Sequence, residues 1–260
     1  MNKSKGYVNT EYLENASQVF KEIKKNSYDE MLIKPGDRVL DVGCGPGIDV
    51  VQLTKCVSES GKVFGVDHDQ DMINDAESLA KSQNVLENVE FQAHDVVTLP
   101  FESNYFDSCR SERVFMHLPD PLATLREMHR VTKPNGRVVV IDSDWSSLSI
   151  DCELTDIENK LLQFYRDKVL ISGYAGRSLF RFFRELGFSN IKIQIFPLFT
   201  SDMDVFSQLV RREAVENQAI EENVISKDEL GLWRKQLRQA HEKNNFFGSM
   251  NVISVSGEKD

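Results

Sequence analysis

Residues 39–50 read VLDVGCGPGIDV. An apolar run with the look of a strand meets glycines on alternate positions, Gly43, Gly45 and Gly47, with Asp41 just ahead of the first. The chain holds only 14 glycines in 260 residues, so three within five positions mark a place where the backbone takes positive φ or lets another group come close. A glycine-rich turn from strand to helix, at the C-terminal edge of a parallel sheet, is an arrangement that binds nucleotides. A tight turn that merely happens to use three glycines is the plain alternative.

The flanking sequence supplies the sheet. RVLDVG (38–43) precedes a helix predicted from about Ile48 to Val57. KVFGVD (62–67) precedes a helix over 70–81, and VEFQAH (89–94) follows. FDSCRS (106–111) leads to a helix over 121–132 that ends at Lys133-Pro134-Asn135-Gly136, and RVVVID (137–142) closes the series. Strands alternating with helices at this spacing predict right-handed βαβ units and a parallel sheet covered on both faces. The second half is more helical, with helices predicted over 154–171, 176–186, 202–222 and 227–243 and strands over 190–196 and 251–257. Gly187 stops the second of these helices, and Ser226-x-x-Glu229 opens the last with a capping box. The first 30 or so residues read as helical through Tyr12, Val19, Phe20 and Ile23. With no linker, repeat or low-complexity stretch, the expectation is one domain over 1–260: an N-terminal helical segment (1–32), a core (33–145), and helical insertions (146–175 and 198–248).

Composition narrows the partners. Hydrophobic residues make up 40% and charged residues 28% of the chain, as in ordinary globular domains. Lys and Arg number 31 against 41 Asp and Glu, a formal charge of −10, which argues against nucleic acid, whose binding relies on cationic side chains. Lys21 to Lys25, interrupted by Glu22, reads as the solvated face of a helix. No apolar run approaches the roughly 20 residues of a membrane span, and the N-terminus lacks a signal peptide's apolar stretch. Cys44, Cys56, Cys109 and Cys152 form neither a disulfide framework nor a metal site. The expectation is a reduced, soluble, cytoplasmic protein with no metal, no membrane insertion and no nucleic-acid partner.

The glycine spacing says which nucleotide. A dinucleotide fingerprint, Gly-x-Gly-x-x-Gly, would put its third glycine where Ile48 stands; here it falls one residue early, at Gly47, with Pro46 inside the turn. No Gly-Lys-Ser/Thr follows, so the turn is not a phosphate-binding P-loop. Asp41 is poorly placed for a pyrophosphate but suits a cation. Asp67 closes the second strand, where a carboxylate accepts hydrogen bonds from ribose hydroxyls, and Asp95 follows the third, within reach of a base's exocyclic amine. A row of carboxylates along one sheet edge suits a nucleoside bearing positive charge, which points to S-adenosylmethionine rather than NAD.

IKPGDRVLDVGCGPG, KVFGVDHDQDMI, FQAHDVVTLPFESNYFD and LREMHRVTKPNGRVVVID, in that order and at those separations, resemble the seven-stranded, Rossmann-like S-adenosylmethionine-dependent methyltransferases over about residues 33–145. RSERVFMHLPDP through VIDSDW is similar to a subgroup acting on small molecules, whose relatives include the C-methyltransferases of quinone biosynthesis. The resemblance implies an α/β, doubly wound, seven-stranded sheet with its last strand antiparallel and helical insertions forming a lid. It further implies that Asp41 lies near the methionine amino group and that Gly43, Gly45 and Gly47 admit the methionine and ribose. Asp67 would take the ribose hydroxyls, His68 and Met72 would flank the adenine, and Asp95 and the Val96 backbone would meet its amine and a ring nitrogen. The Ser111 backbone would touch the methionine end. His68 departs from the small or apolar residue often found at its position.

For the acceptor side, His117 in VFMHLPD and Asp144 after the fifth strand are the candidate catalytic groups, His117 alternatively packing beneath a loop. Glu112 and Arg113 either orient a substrate or pair with each other. Trp145 either stacks on an aromatic substrate or anchors its loop. Tyr7, Tyr12, Phe199, Phe206, Phe246 and Phe247 place aromatic surface in the segments outside the core. The expected function is methyl transfer from S-adenosylmethionine, by in-line displacement, to a small hydrophobic or aromatic molecule. The alternatives are a non-catalytic adenosyl-binding protein and an NAD(P)-dependent oxidoreductase, against which the glycine spacing counts.

Overall fold

The computed structural model describes residues 21–260; the expectations for Tyr7, Tyr12, Val19 and Phe20 lie outside the described residues. Helix α1 (Lys21–Glu30) precedes β1 (Arg38–Val42), α2 (Ile48–Val57), β2 (Lys62–Asp67), α3 (Gln70–Ser82), β3 (Val89–Ala93), β4 (Phe106–Glu112) and α4 (Pro121–Val131). Then come β5 (Thr132–Ile150), α5 (Thr155–Phe164), α6 (Ala175–Glu185), β6 (Ser189–Thr200), α7 (Met203–Leu209), α8 (Arg212–Glu221), α9 (Lys227–Glu242) and β7 (Gly248–Glu258). The sheet order is β3-β2-β1-β4-β5-β7-β6. Strands β1 to β5 pair in parallel, and β7 runs antiparallel to both β5 and β6. The chain winds one way from β1 to β3 and the other way from β4 onward. The crevice at the carboxyl ends of β1 and β4 is therefore the switch point at which such sheets bind ligands.

Alternation along the strands builds two cores, one on each face. Leu40, Val42, Val138 and Val140 pack on one side with Phe64, Phe106 and Met128. Val39, Val139 and Ile141 pack on the other with Val50, Leu53, Val63 and Ile73. Neighbouring residues of one strand serve opposite faces, as the period of two requires.

Strands β6 and β7 run longer than expected, over 189–200 and 248–258, and three further elements differ from the sequence expectation. Strand β5 spans 132–150 rather than 137–142: Thr132 pairs with Phe106 of β4 at its start, and β7 pairs with it from Arg137 to Ile150 across a register shift between Asp144 and Ser149. The helix predicted over 154–171 stops as α5 at Phe164 and gives way to a wider π turn, Tyr165–Val169. The helix predicted over 202–222 is broken at Arg211, whose φ of 51° is left-handed, so that Val210 and Val215 both reach the core. Lys24 is also not on a solvated face: it is buried and paired with Asp49 and Glu112. Among the described residues no helix is long and apolar enough to cross a membrane.

Candidate functional site

Beyond β1 the backbone turns left-handed at Gly43 and Gly47 (φ 73° and 76°). A Cβ on Gly43 would lie 2.3 Å from the Val114 side chain, and one on Gly47 would lie 2.8 Å from Ala76, so both positions are closed to larger residues. The amides of Gly43 and Cys44 donate to the Val66 carbonyl at 2.7 and 3.0 Å, stitching the loop to β2. Asp67, the last residue of β2, faces this loop. Its Oδ2 accepts from the Gly45 amide at 2.9 Å and its Oδ1 from the Asp69 amide at 3.0 Å, and His68 Nδ1 lies 3.2 Å from Oδ1. Burial raises the Asp67 pKa, but the donors from His68, Asp69 and Gly45 outweigh it and hold the carboxyl below its ordinary value. His68 is raised in turn, chiefly by its hydrogen bond to Asp67.

A cavity of about 520 Å³ opens over this loop. Gly43, Gly45, Asp67, His68, Met72, Asp95 and Val96 line it toward β1, β2 and β3; Glu112, Arg113, His117, Trp145 and Arg211 line it toward β4 and the later helices. The structure thus brings eight of the expected residues together, His117 among them. Asp41, Gly47, Ser111 and Asp144 are not part of its lining. Asp41 is buried beneath the loop with Arg110 Nη1 at 3.2 Å, Gly47 packs on Ala76, and Ser111 Oγ donates to the Val42 carbonyl at 2.9 Å. Asp144 lies within β5 rather than after it, and both its oxygens accept from Arg177, each at 2.8 Å, pinning α6 to that strand.

A buried charge network not foreseen in the sequence supports the floor of the cavity. Lys24 and Tyr28 of α1 both donate to Asp49 of α2. Arg110 of β4 reaches Asp41 at 3.2 Å, Asp49 at 3.4 Å and Glu112 at 2.6 Å, and Lys24 reaches Glu112 at 3.0 Å. Burial pushes Asp41 up to about 7, because Arg110 divides its attraction among three carboxylates. Asp49 and Glu112 lie below their ordinary values, as Arg110 and Lys24 outweigh the cost of burial. The signal in the sequence was Arg110 itself, a cation inside a strand that sheet order makes central, which must be paired when buried.

His117 ends the turn Phe115–His117, which Asp142 fastens by accepting from the Met116 amide at 3.0 Å. Burial, joined by Arg113, Arg211 and His68, pushes the His117 pKa down to about 4, so the imidazole is neutral near pH 7. Trp145 Nε1 donates to Met116 Sδ at 3.0 Å, and its ring lies 4.7 Å from Tyr165. Beyond Met116 and Trp145 lies a second cavity of about 210 Å³, lined chiefly by Leu198, Phe199, Val205, Phe206, Val210 and Met250. The two cavities share Arg113, Met116, Trp145 and Leu209. Of the aromatic residues expected near a substrate, Phe199 and Phe206 line this second cavity, Phe246 is buried against Phe206, and Phe247 is partly exposed beside Phe199.

Comparison with known proteins agrees with this architecture. The family model described as a methyltransferase domain matches residues 33–170. An uncharacterised 37.1 kDa protein in transposon TN4556 of Streptomyces fradiae is 37% identical over 174 residues, 67% of this chain, and this chain spans only 49% of that protein's length. A demethylmenaquinone methyltransferase of Staphylococcus saprophyticus is 29% identical over 187 residues, covering 66% of this chain and 79% of the relative. Among solved structures, the YcgJ protein of Bacillus subtilis superposes with a TM-score of 0.65 at 23% identity, over 93% of this chain and 98% of its own; at that identity the likeness concerns the fold.

Proposed function

The chain belongs to the methyltransferase-domain family, of the seven-stranded Rossmann-like class that uses S-adenosylmethionine, and from that premise we propose that it transfers a methyl group from S-adenosylmethionine to a small apolar or aromatic acceptor. The observation that carries this reading is the pair of adjoining cavities. One is lined by the glycine loop and strand-end acids, the other is mainly apolar, and they meet at Met116 and Trp145.

The residues present fit the cofactor. Gly43 and Gly45 line the larger cavity without a side chain to fill it, and Glu112 Oε1 is a buried carboxylate oxygen that makes no hydrogen bond, with Arg113 Nε 3.5 Å away. Such an oxygen suits a ligand ammonium. Asp67 would hold the ribose hydroxyls, since each carboxylate oxygen has lone pairs beyond those its amide partners use. His68, Met72, Asp95 and Val96 would surround the adenine. When bound, S-adenosylmethionine supplies a methyl group already made electrophilic by the sulfonium. The protein's task is then alignment and exclusion of water, and alignment alone lowers barriers by roughly 7–11 kcal/mol in favourable cases. Met116, Trp145 and Tyr165 form the apolar wall that keeps water from the junction. His117, neutral near pH 7, accepts the acceptor's proton where one must leave. Asp144 acts indirectly, holding α6 through Arg177. The relative named demethylmenaquinone methyltransferase supports an apolar, aromatic acceptor.

Isothermal titration with S-adenosylmethionine, S-adenosylhomocysteine, NAD(H) and NADP(H) tests the cofactor. Micromolar or tighter binding of the adenosyl compounds alone is expected; binding of a dinucleotide instead overturns the reading. Transfer of labelled methyl to small molecules of a host extract then separates an enzyme from a non-catalytic adenosyl-binding protein.

A further inference from the structure

The cavities differ in charge along their length. Of the acids lining the larger one among the described residues, Asp67, Asp69 and Asp95 stand at the ends of β2 and β3, and Glu112 alone stands at the end of β4. Glu112 Oε2 is already held by Lys24 and Arg110 at 3.0 and 2.6 Å, and Arg113 Nε lies 3.5 Å from its Oε1. Arg113 and Arg211 line the same end. Arg113 is also the one charged residue among the described residues lining the smaller, apolar cavity. Acids therefore gather at one end of the larger cavity and cations at the other, and the cationic end opens into apolar space.

The backbone marks the same two arginines. Ten described non-glycine residues have positive φ, and six of them are asparagines, which tolerate this region well. Arg113 (φ 55°) and Arg211 (φ 51°) have no such chemistry. Strained backbone at bulky residues concentrates at ligand clamps. The first follows the last residue of β4 and the second breaks α7 from α8, so two distant segments turn arginines toward one cavity.

Resting on the methyltransferase reading, we infer that the acceptor is an acid with an apolar body, its anionic group held by Arg113 and Arg211 at the junction and its apolar part in the smaller cavity. Guanidinium is the side-chain group best matched to carboxylate and phosphate oxygens. Leu198, Val205, Phe206, Val210 and Met250 provide the apolar bed. Burial chiefly, with Arg113 and Arg211 acting in the same sense, keeps His117 neutral beside them.

The test uses the full-length protein saturated with S-adenosylhomocysteine and four probes of equal chain length: octanoate, octyl phosphate, 1-octanol and octylamine. Octanoate or octyl phosphate is expected to bind at least tenfold more tightly than the alcohol or the amine; the order of the two anions tells a carboxylate site from a phosphate site. Arg211→Gln and Arg113→Asn, the latter chosen because asparagine accepts left-handed backbone, should each weaken the preferred anion about tenfold or more while leaving octanol binding within twofold. Equal binding of alcohol and acid, no binding of either anion at millimolar concentration, or anion affinity unmoved in both variants overturns the inference. The probe series on the unaltered protein decides even if a variant fails to fold. If S-adenosylhomocysteine itself does not bind, the failure belongs to the cofactor reading; if it binds and the anions show no preference, only this inference falls.

Discussion

Asp67 sits where a strand end, a loop amide and a cavity meet, accepting from Gly45 and Asp69 while lining the space above the loop. Asp67→Ala should weaken S-adenosylhomocysteine binding roughly 10- to 100-fold, the worth of about 1.5–3 kcal/mol for a hydrogen bond to a charged group, with the fold retained. Titration calorimetry beside a thermal melt checks both halves, and unchanged affinity at normal stability rules out the ribose role. His117 carries a pH prediction. Its folded pKa, about 4, lies below the ordinary 6.5, so between those values the unfolded chain binds a proton that the folded chain refuses. The stabilisation, on the order of 3 kcal/mol, is therefore present above pH 6.5 and lost as pH falls toward 4. Asp41 and Asp142, raised by burial to about 7, work in the opposite sense and lose stability as pH rises from 4 to 7. Comparison of His117→Gln with the unaltered protein isolates the histidine: urea midpoints from pH 4 to 8 should show the variant losing less on acidification. Parallel curves would mean that His117 is not held neutral. Asp67, Asp95 and the glycines were legible in the sequence because each stands at a strand end, a position that periodicity alone locates. The pairing of Lys24 with Asp49 and of Arg110 with Asp41 was not legible, since partners 25 and 69 residues apart meet only once the sheet is formed.

The helices and strands show the same division between local and distant causes. The start of α9 was written in Ser226-x-x-Glu229, and both capping-box bonds are present at 3.1 and 2.7 Å. Ser226→Ala should cost about 1 kcal/mol, within the usual 0.5–2 kcal/mol for a lost N-cap, and leave cofactor affinity unchanged, as Ser226 lies outside both cavities. A denaturant midpoint shift of that size with identical calorimetric binding is the expected pair of results. A loss of binding would show that α9 couples to the site. The break between α7 and α8 had no such local signal, because Arg211 is an ordinary helix former forced left-handed by what its neighbours bury. Nor did the length of β5: Arg137 to Ile150 is extended because β7, about a hundred residues later, lies beside it. Glu216 likewise joins α8 to α9 by accepting from Arg212 at 2.6 Å, Trp233 at 2.9 Å and Arg234 at 2.6 Å, a hub that exists only after the helices pack.

Across the molecule, α1, α2, β1 and β4 are tied by one buried network in which Arg110 touches Asp41, Asp49 and Glu112. The glycine loop rests on this network, so loss of the network is expected to disturb the cavity above the loop as well as the stability of the fold. Arg110→Met keeps much of the side chain's apolar volume but leaves three buried carboxylates with Lys24 and Arg113 as their remaining cations. Breaking a buried pair in this way costs about 3–5 kcal/mol. The pH dependence separates this cause from simple repacking. Without Arg110, all three carboxyl pKa values rise in the folded state, and the fold then binds protons more readily than the unfolded chain. The variant's deficit should consequently be largest near pH 8 and shrink as pH falls toward 5, where the orphaned carboxyls take up protons. Paired urea titrations across that range read the deficit directly. A deficit that stays constant with pH would assign the loss to packing around the guanidinium, and the network would then be a consequence of how the loop is seated rather than what seats it.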